Sequence, residues 1–335
     1  MTWFESLTGF PESSPQKVRE RITVAEEVLT SHVNGRSMRC GRLEIPSLAE
    51  LRGRVAGTST QRQGGRVSLR EIVADAQSLH ADDSNRGALF QVASQFNLLE
   101  MASPCLTPEH GVSIYENDHT QGPACAIAAG AGTIFRNYFA KVHAQDGQSA
   151  GSQIDCLAAL GSALGNSGNR LWEMRNGYAL ASRSGLDEIS HRLSSSTEGE
   201  LDQLRARLRI GIQWDTQVTL GNCTHLVSQA YCSALPCSYT DCPFKLWENF
   251  ARLVLEASYE ATVCAAVLNS RIAGNRKLFL TLVGGGAFGN ATNWIIEAIE
   301  YALKRYEHSN LDVAIVSHTS SNRGVQDLIG RLEQH

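Results

Sequence analysis

The sequence lacks the features that mark several large functional classes. It has no basic excess: 30 Lys and Arg stand against 34 Asp and Glu, a formal net charge of −4 with a pI near 6.2. A strongly basic nucleic-acid surface is therefore not indicated. Its apolar runs fall far short of the ~20 residues that a membrane helix needs. Its opening, MTWFESLTGFPESS, has neither a basic n-region nor an apolar h-region, so no secretory signal is read there. It has no C-x2-C clamp, since Cys232, Cys237 and Cys242 are each separated by four residues and Cys223 and His225 complete no metal pattern. No bound metal is expected. The nine cysteines are an odd number, and Cys125, Cys156 and Cys264 lie inside apolar runs. That predicts free thiols in a reducing cytoplasm. Proline is scarce as well, with 8 residues against 29 glycines, roughly 2% and 9% where about 5% and 7% are usual.

What is present is a chain of 335 residues, 42% apolar and 19% charged, enough for a sizeable core in one large domain or two. Residues 1–35 carry a helical spacing through Val18, Ile22, Val24, Ala25, Val28 and Leu29, and residues 1–66 read as an N-terminal helical extension. Residues 53–66, GRVAGTSTQRQGGR, read as an exposed loop. From Ala88, ALFQVAS predicts a buried strand that enters SQFN, followed by an irregular stretch to about Gly111. The polar loop ENDHTQGP then opens a long helix in which Cys125, Ala128, Ala129, Gly132, Phe135 and Phe139 share a face. Residues 151–208 look like an insertion: a helix over 154–164, a tight hairpin at Asn176-Gly177, and charged helices around Asp187 and Leu204. Buried strands are predicted over 208–218 and 226–235. The clearest unit closes the chain: helix 246–268, strand 278–283, the loop GGGAFGN, helix 292–306 and strand 311–317. That is a βαβ crossover with parallel strands.

GGGAFGN joins the carboxyl end of a strand to the start of a helix, where backbone N–H groups unobstructed by Cβ atoms can form a concavity for phosphate. It has no following Lys-Ser/Thr and no G-x-G-x-x-G order, so it is neither a P-loop nor a dinucleotide fingerprint. TQGPACA places a second helix start after a polar loop. Two helix starts opening toward one crevice suit a diphosphate.

The order FQVASQFN, NDHTQGPACAIAAGAG, LFLTLVGGGAFGN and DVAIVS resembles the macrodomain superfamily, over roughly Val67 to Ser317. It is most similar to the MavL-type branch of ADP-ribosyl hydrolases, known from an effector that removes ADP-ribose from arginine of ubiquitin; the MTWFESLTGF opening also resembles that branch. The resemblance implies an α/β fold, a mixed sheet sandwiched between helices, with residues 67–335 as the catalytic domain. It implies ADP-ribose as ligand and product, no separate cofactor, and an ADP-ribosylated protein as partner. Two departures stand out. Gln121-Gly122-Pro123 replaces the usual first-loop triple glycine, and the paired glutamates of poly-ADP-ribose glycohydrolases are missing.

On that resemblance the ADP-ribose contacts fall to Thr120, Gln121, Gly122, Pro123 and Ala124 in the first loop, and to Gly284, Gly285, Gly286, Ala287, Phe288, Gly289 and Asn290 in the second. Asn97 matches the asparagine that contacts the distal ribose, or is a turn residue. Asp75 matches the aspartate that accepts from adenine. Phe96, Phe288, His80 and His318 are expected mainly in packing roles. Breaking the anomeric bond requires an acidic group to activate water, stabilise the cation or protonate the leaving atom. Asp118 is the first candidate and Asp215, flanked by apolar residues, the second; the competing roles are a helix cap for Asp118 and an arginine partner for Asp215. Three functions remain open on the sequence alone: hydrolase, non-catalytic ADP-ribose reader, and interaction scaffold.

Overall fold

The computed structural model describes residues 1–57 and 65–333. The chain opens with two short helices, α1 (Trp3–Thr8) and α2 (Pro15–Arg21), each started by a hydroxyl cap, Thr2 and Ser14, that accepts a first-turn amide. The helical spacing expected to continue to residue 35 gives way to strands. Glu26 and Glu27 adopt φ of 48° and 66° and fold β1 (Ile22–Ala25) back on β2 (Val28–Ser31), the geometry of a two-residue hairpin turn. A third strand, β3 (Ser37–Arg39), pairs with β2.

The supposed extension is woven into the core. Its strand β4 (Arg42–Glu44) is an edge of the main sheet, and α3 (Leu48–Gly57) packs on the long helix introduced below. Residues 53–57 of the expected loop are therefore the end of a helix, and residues 58–64 of that loop lie outside the described residues. Phe4, Leu7, Phe10, Val18, Leu29 and Met38 form one buried cluster with Met101, Tyr115, Ile134 and Tyr138.

Strand β5 (Ser68–Val73) was not legible, because as the other edge it is only half-buried and alternates with Arg70 and Glu71. Next come α4 (Ala76–Ala81) and β6 (Leu89–Ala93), the expected buried strand. The expected long helix is two, α5 (Gln121–Ala128) and α6 (Gly130–Tyr138). It breaks at Ala129 because the Thr133 hydroxyl donates to the Ala126 carbonyl at 2.6 Å and the Gly130 amide turns to the Thr219 hydroxyl at 3.0 Å. A two-residue ladder, β7 (Lys141–Val142) with β8 (Gln145–Asp146), leads into the insertion.

The insertion holds α7 (Ala158–Leu164), the hairpin β9 (Trp172–Arg175) and β10 (Tyr178–Ala181), and helices α8 (Arg183–Ser195) and α9 (Glu198–Arg205). Asn176 and Gly177 turn the hairpin with φ of 47° and 81°, as their side chains allow. Leu160, Trp172, Leu186 and Ile189 join the main core, so the insertion is part of it. The rest follows the expected course: β11 (Gly211–Gln217), β12 (Leu226–Cys232), α10 (Phe244–Ile272), β13 (Lys277–Leu280), α11 (Thr292–Arg305), β14 (Asp312–Ser317) and α12 (Arg323–Glu333).

The fold is α/β, with one mixed seven-stranded sheet in the order β4-β11-β12-β6-β13-β14-β5. Strands from β12 to β5 in that order are parallel, while β11 runs antiparallel to both neighbours. Helices α3, α8, α10 and α11 cover one face, and α4, α5 and α6 the other. All nine cysteines are free thiols, six of them buried. No described helix is long and apolar enough to cross a membrane.

His80 sits fully buried beneath the sheet, stacked on Phe90 at 3.8 Å, with Phe90 stacked in turn on Phe279. Its Nδ1–H donates to the Ala76 carbonyl at 2.7 Å and its Nε2 accepts from Gln229 Nε2 at 3.0 Å, which sets the neutral tautomer. Burial holds its pKa down at about 4, against an ordinary value of 6.5. Two outcomes follow for stability. Phe4→Ala costs ~3 kcal/mol in the single urea transition of the whole chain; a separate early transition with the main one unmoved would show the N-terminal segment to be an appendage. The unfolded chain binds a proton at position 80 below about pH 6.5 and the folded one does not until about 4. Stability is thus lost as pH falls through that window, by on the order of 3 kcal/mol. His80→Gln should remove that portion of the acid sensitivity, and an unchanged pH dependence would contradict the assignment.

Candidate active site

Two neighbouring parallel strands part at the centre of the sheet. β6 and β13 pair at Leu89 with Leu278 and at Phe90 with Phe279, and no further. Beyond that point the inner backbone of β6 needs other partners, since a buried amide or carbonyl left unpaired is costly. Gln121 supplies them: its Oε1 accepts from the Ala93 amide at 2.9 Å and its Nε2 donates to the Gln91 carbonyl at 2.8 Å. On the opposite lip, Gln91 Oε1 accepts from the Thr281 amide at 3.3 Å. The gap is a cleft of about 240 Å³ at the carboxyl ends of the strands, where ligands of open α/β sheets bind. A larger depression of about 690 Å³, at the β5 edge, is lined by residues such as Leu69, Leu303, Glu307 and Leu332.

The first lip is the start of α5. Asp118 Oδ1 accepts from the Thr120 amide at 2.9 Å and shapes the turn; Thr120 is the N-cap residue, but its side chain makes no cap bond. A Cβ at Gly122 would lie 2.0 Å from the Ala93 carbonyl oxygen, so the helix can reach the strand end only with glycine there. Pro123 has no N–H to leave over. The amides of Gln121 and Gly122 are those the helix start leaves without an intrahelical acceptor.

The second lip is the loop from Gly284 to Asn290. Gly284 has φ of 80° and would place a Cβ 2.4 Å from that of Ala234; Gly289 has φ of 73° and would place one 1.9 Å from the Ser238 hydroxyl. Buried Asn290 ties both ends, donating from Nδ2 to the Leu235 carbonyl at 2.8 Å and from its amide to the Gly284 carbonyl at 2.9 Å. Between these anchors Gly285, Gly286 and Ala287 are exposed, and a Cβ at Gly286 would meet nothing within 4 Å. Tyr178, Tyr239 and Phe288 form a ring cluster on the wall, with centroids 5.1 to 5.5 Å apart. Tyr178 comes from the insertion, and its hydroxyl donates to the Met101 carbonyl at 2.6 Å.

No family model matches the chain, and no curated protein matches it. Its course is similar to that of solved poly(ADP-ribose) glycohydrolases. For the enzyme from Thermomonospora curvata the identity is 12%, over 95% of this chain and 96% of that one, with a TM-score of 0.47. For the enzyme from Deinococcus radiodurans in complex with ADP-ribose it is 8%, over 87% and 94%, with a TM-score of 0.45. Likeness at this level carries no residue role across.

Of the expected site residues, the cleft brings together Asp118, Thr120, Gln121, Gly122, Pro123, Gly284, Gly286, Ala287 and Phe288. Gly285, Gly289 and Asn290 shape the loop from behind the lining. Ala124 is the fourth residue of α5, its carbonyl accepting from Gln77 Nε2 at 3.4 Å. Three expectations are not met by the lining. Asn97 is fully buried in a turn, donating to Gln153 at 2.8 Å and accepting from the Leu99 amide at 3.1 Å. Asp75 caps α4, accepting from the Ser78 amide at 2.9 Å. Asp215 stands on a β-bulge at φ of 52°, with its amide donating to the Ser228 hydroxyl. Ser228 lies four residues before the Cys232 end of the β12 pairing with β6, roughly 13 Å along a strand, so Asp215 belongs to the opposite end of the sheet and the two aspartates do not converge.

Glu100 was missed. It lines the cleft with its side chain 1% exposed, and neither carboxyl oxygen has a hydrogen-bond partner. The only signal was a lone carboxylate between Leu99 and Met101 in a stretch passed over as irregular. The packing of the first lip makes a paired test. Gly122→Ala should cost about 1–3 kcal/mol by overpacking, whereas Gly286→Ala should stay within about 0.5 kcal/mol. Equal melting behaviour of the two variants would contradict the contact at Ala93.

Proposed function

We propose that this protein is an ADP-ribosyl hydrolase that releases ADP-ribose from a modified protein side chain. The observation that carries the reading is the cleft itself, in which a helix start and a glycine loop border parted strands beside a carboxylate. The diphosphate lies between the amides of Gln121 and Gly122 and those of the loop from Gly286 to Phe288. Backbone dipoles of this kind hold an anion without a basic patch, in keeping with a net charge of −4. The ring cluster of Tyr178, Tyr239 and Phe288 provides an apolar wall for the ribose.

In this reading Asp118 is the catalytic carboxylate. It takes a proton from water as the water oxygen bonds to the anomeric carbon, while the bond to the side-chain atom breaks and its electron pair leaves with that atom. The leaving atom gains a proton, and the products are ADP-ribose and the unmodified side chain. The finer part of the proposal follows the sequence resemblance alone: mono-ADP-ribose linked to arginine, with ubiquitin as the carrier. A non-catalytic reader would use the same amides without Asp118.

Incubation with arginine-, serine- and glutamate-linked ADP-ribosylated proteins, with free ADP-ribose measured, is the test. Release is expected from the arginine linkage, and Asp118→Asn should lower turnover by ~100-fold or more while ADP-ribose still raises the melting temperature. No release from any linkage, with stabilisation by ADP-ribose retained, would establish the reader instead.

A further inference from the structure

Glu100 occupies the base of the cleft under the first lip. Its Cγ lies 3.3 Å from where a Cβ on Gly122 would stand, against the start of α5. Its surroundings leave the carboxyl group unsatisfied. The Tyr115 hydroxyl accepts from the Glu100 backbone amide at 3.1 Å. Arg136, on α6 and itself fully buried, has an Nη2 3.6 Å from Glu100 Oε1, too far for a hydrogen bond. Three of its five N–H donors go to the Leu98 carbonyl at 3.1 Å, the Thr133 hydroxyl at 3.1 Å and the Tyr231 hydroxyl. The other titratable groups around Glu100 are Cys125 and Tyr231, both buried, and Asp118 across the cleft.

An ionised carboxylate in that position would repel any anion held at the helix start. We propose that Glu100 acts as a neutral acid, its carboxyl O–H donating a hydrogen bond to an oxygen of the ligand bound in the cleft. One of the two orphan oxygens then finds its partner in the complex. Burial pushes the Glu100 carboxyl up to about 8, against the pull of Arg136 and Tyr115, which favours the protonated acid at neutral pH. The inference rests on the ADP-ribose reading of the cleft but not on catalysis, since a reader would need the same proton.

The sign of the pH effect follows. A ligand that binds the protonated form loses affinity as pH rises through about 8, by roughly tenfold per pH unit above it. Tyr115 and Tyr231 are held well above the ordinary tyrosine value, and Cys125 above that of a thiol, so they do not titrate in that window. The test is calorimetric titration with ADP-ribose at a series of pH values from about 6.5 to 9.5, on the full chain and on Glu100→Gln, whose amide donates without titrating. The wild type should weaken above pH 8 and take up a proton on binding there, while Glu100→Gln binds within a few-fold of the wild-type neutral-pH affinity with no such slope. A flat wild-type profile overturns the role of Glu100 and leaves the ADP-ribose reading standing, and this needs no variant to fold. Failure of the wild type to bind ADP-ribose at any pH overturns both.

Discussion

The parting of β6 from β13 after Phe90 and Phe279 is the constraint on which the rest of the molecule depends. A parallel sheet with helices on both faces buries its backbone, and opening it at the centre exposes amides and carbonyls that must find partners. Gln121 and Gln91 supply them, one on each lip. The departure from a glycine triplet in the first loop is thereby explained. Position 121 carries a side chain because it completes the strand, position 122 keeps glycine because α5 touches the Ala93 carbonyl, and position 123 tolerates proline because its N–H would go unused.

Behind the cleft a chain of buried polar groups crosses the helical layer. Arg136 stacks on the Tyr231 ring at 3.7 Å, Tyr231 donates to Gln229, and Gln229 donates to His80 and to the Cys125 carbonyl. Such a network is stabilising only when its members are satisfied, and nearly all are. Glu100 is the exception and is also the member that faces the cleft. A polar group left unpaired in the wall of a cleft points to a site, whereas the same group deep in the core would be a defect.

Much of this was legible from local pattern. The strand, glycine loop and helix of 277–305, the Asn176-Gly177 hairpin and the buried strand at 89–93 each announce themselves within a few residues, through apolar runs or backbone demands that glycine and asparagine meet. What stayed hidden depends on distant partners. The edge strands β4 and β5 are short, half-buried and charged, so neither reads as a strand, and β4 falls inside what reads as a helical extension. The break at Ala129 needs Thr219, ninety residues on. Asp215 looked like a buried catalytic carboxylate because its neighbours are apolar, yet a bulge places it at the far end of the sheet. Glu100 gave the reverse error, since nothing local marks a carboxylate that Arg136 approaches and does not satisfy.

The central claim is that free amides on two loops, Gln121 and Gly122 on one side and Gly286 to Phe288 on the other, grip one anionic ligand between parted strands. Backbone amide NMR during titration with ADP-ribose tests it most directly. The account predicts saturable shifts, with one common affinity, at those amides on both lips. Shifts confined to one lip, or centred on the groove beside Leu69 and Leu303, would contradict it.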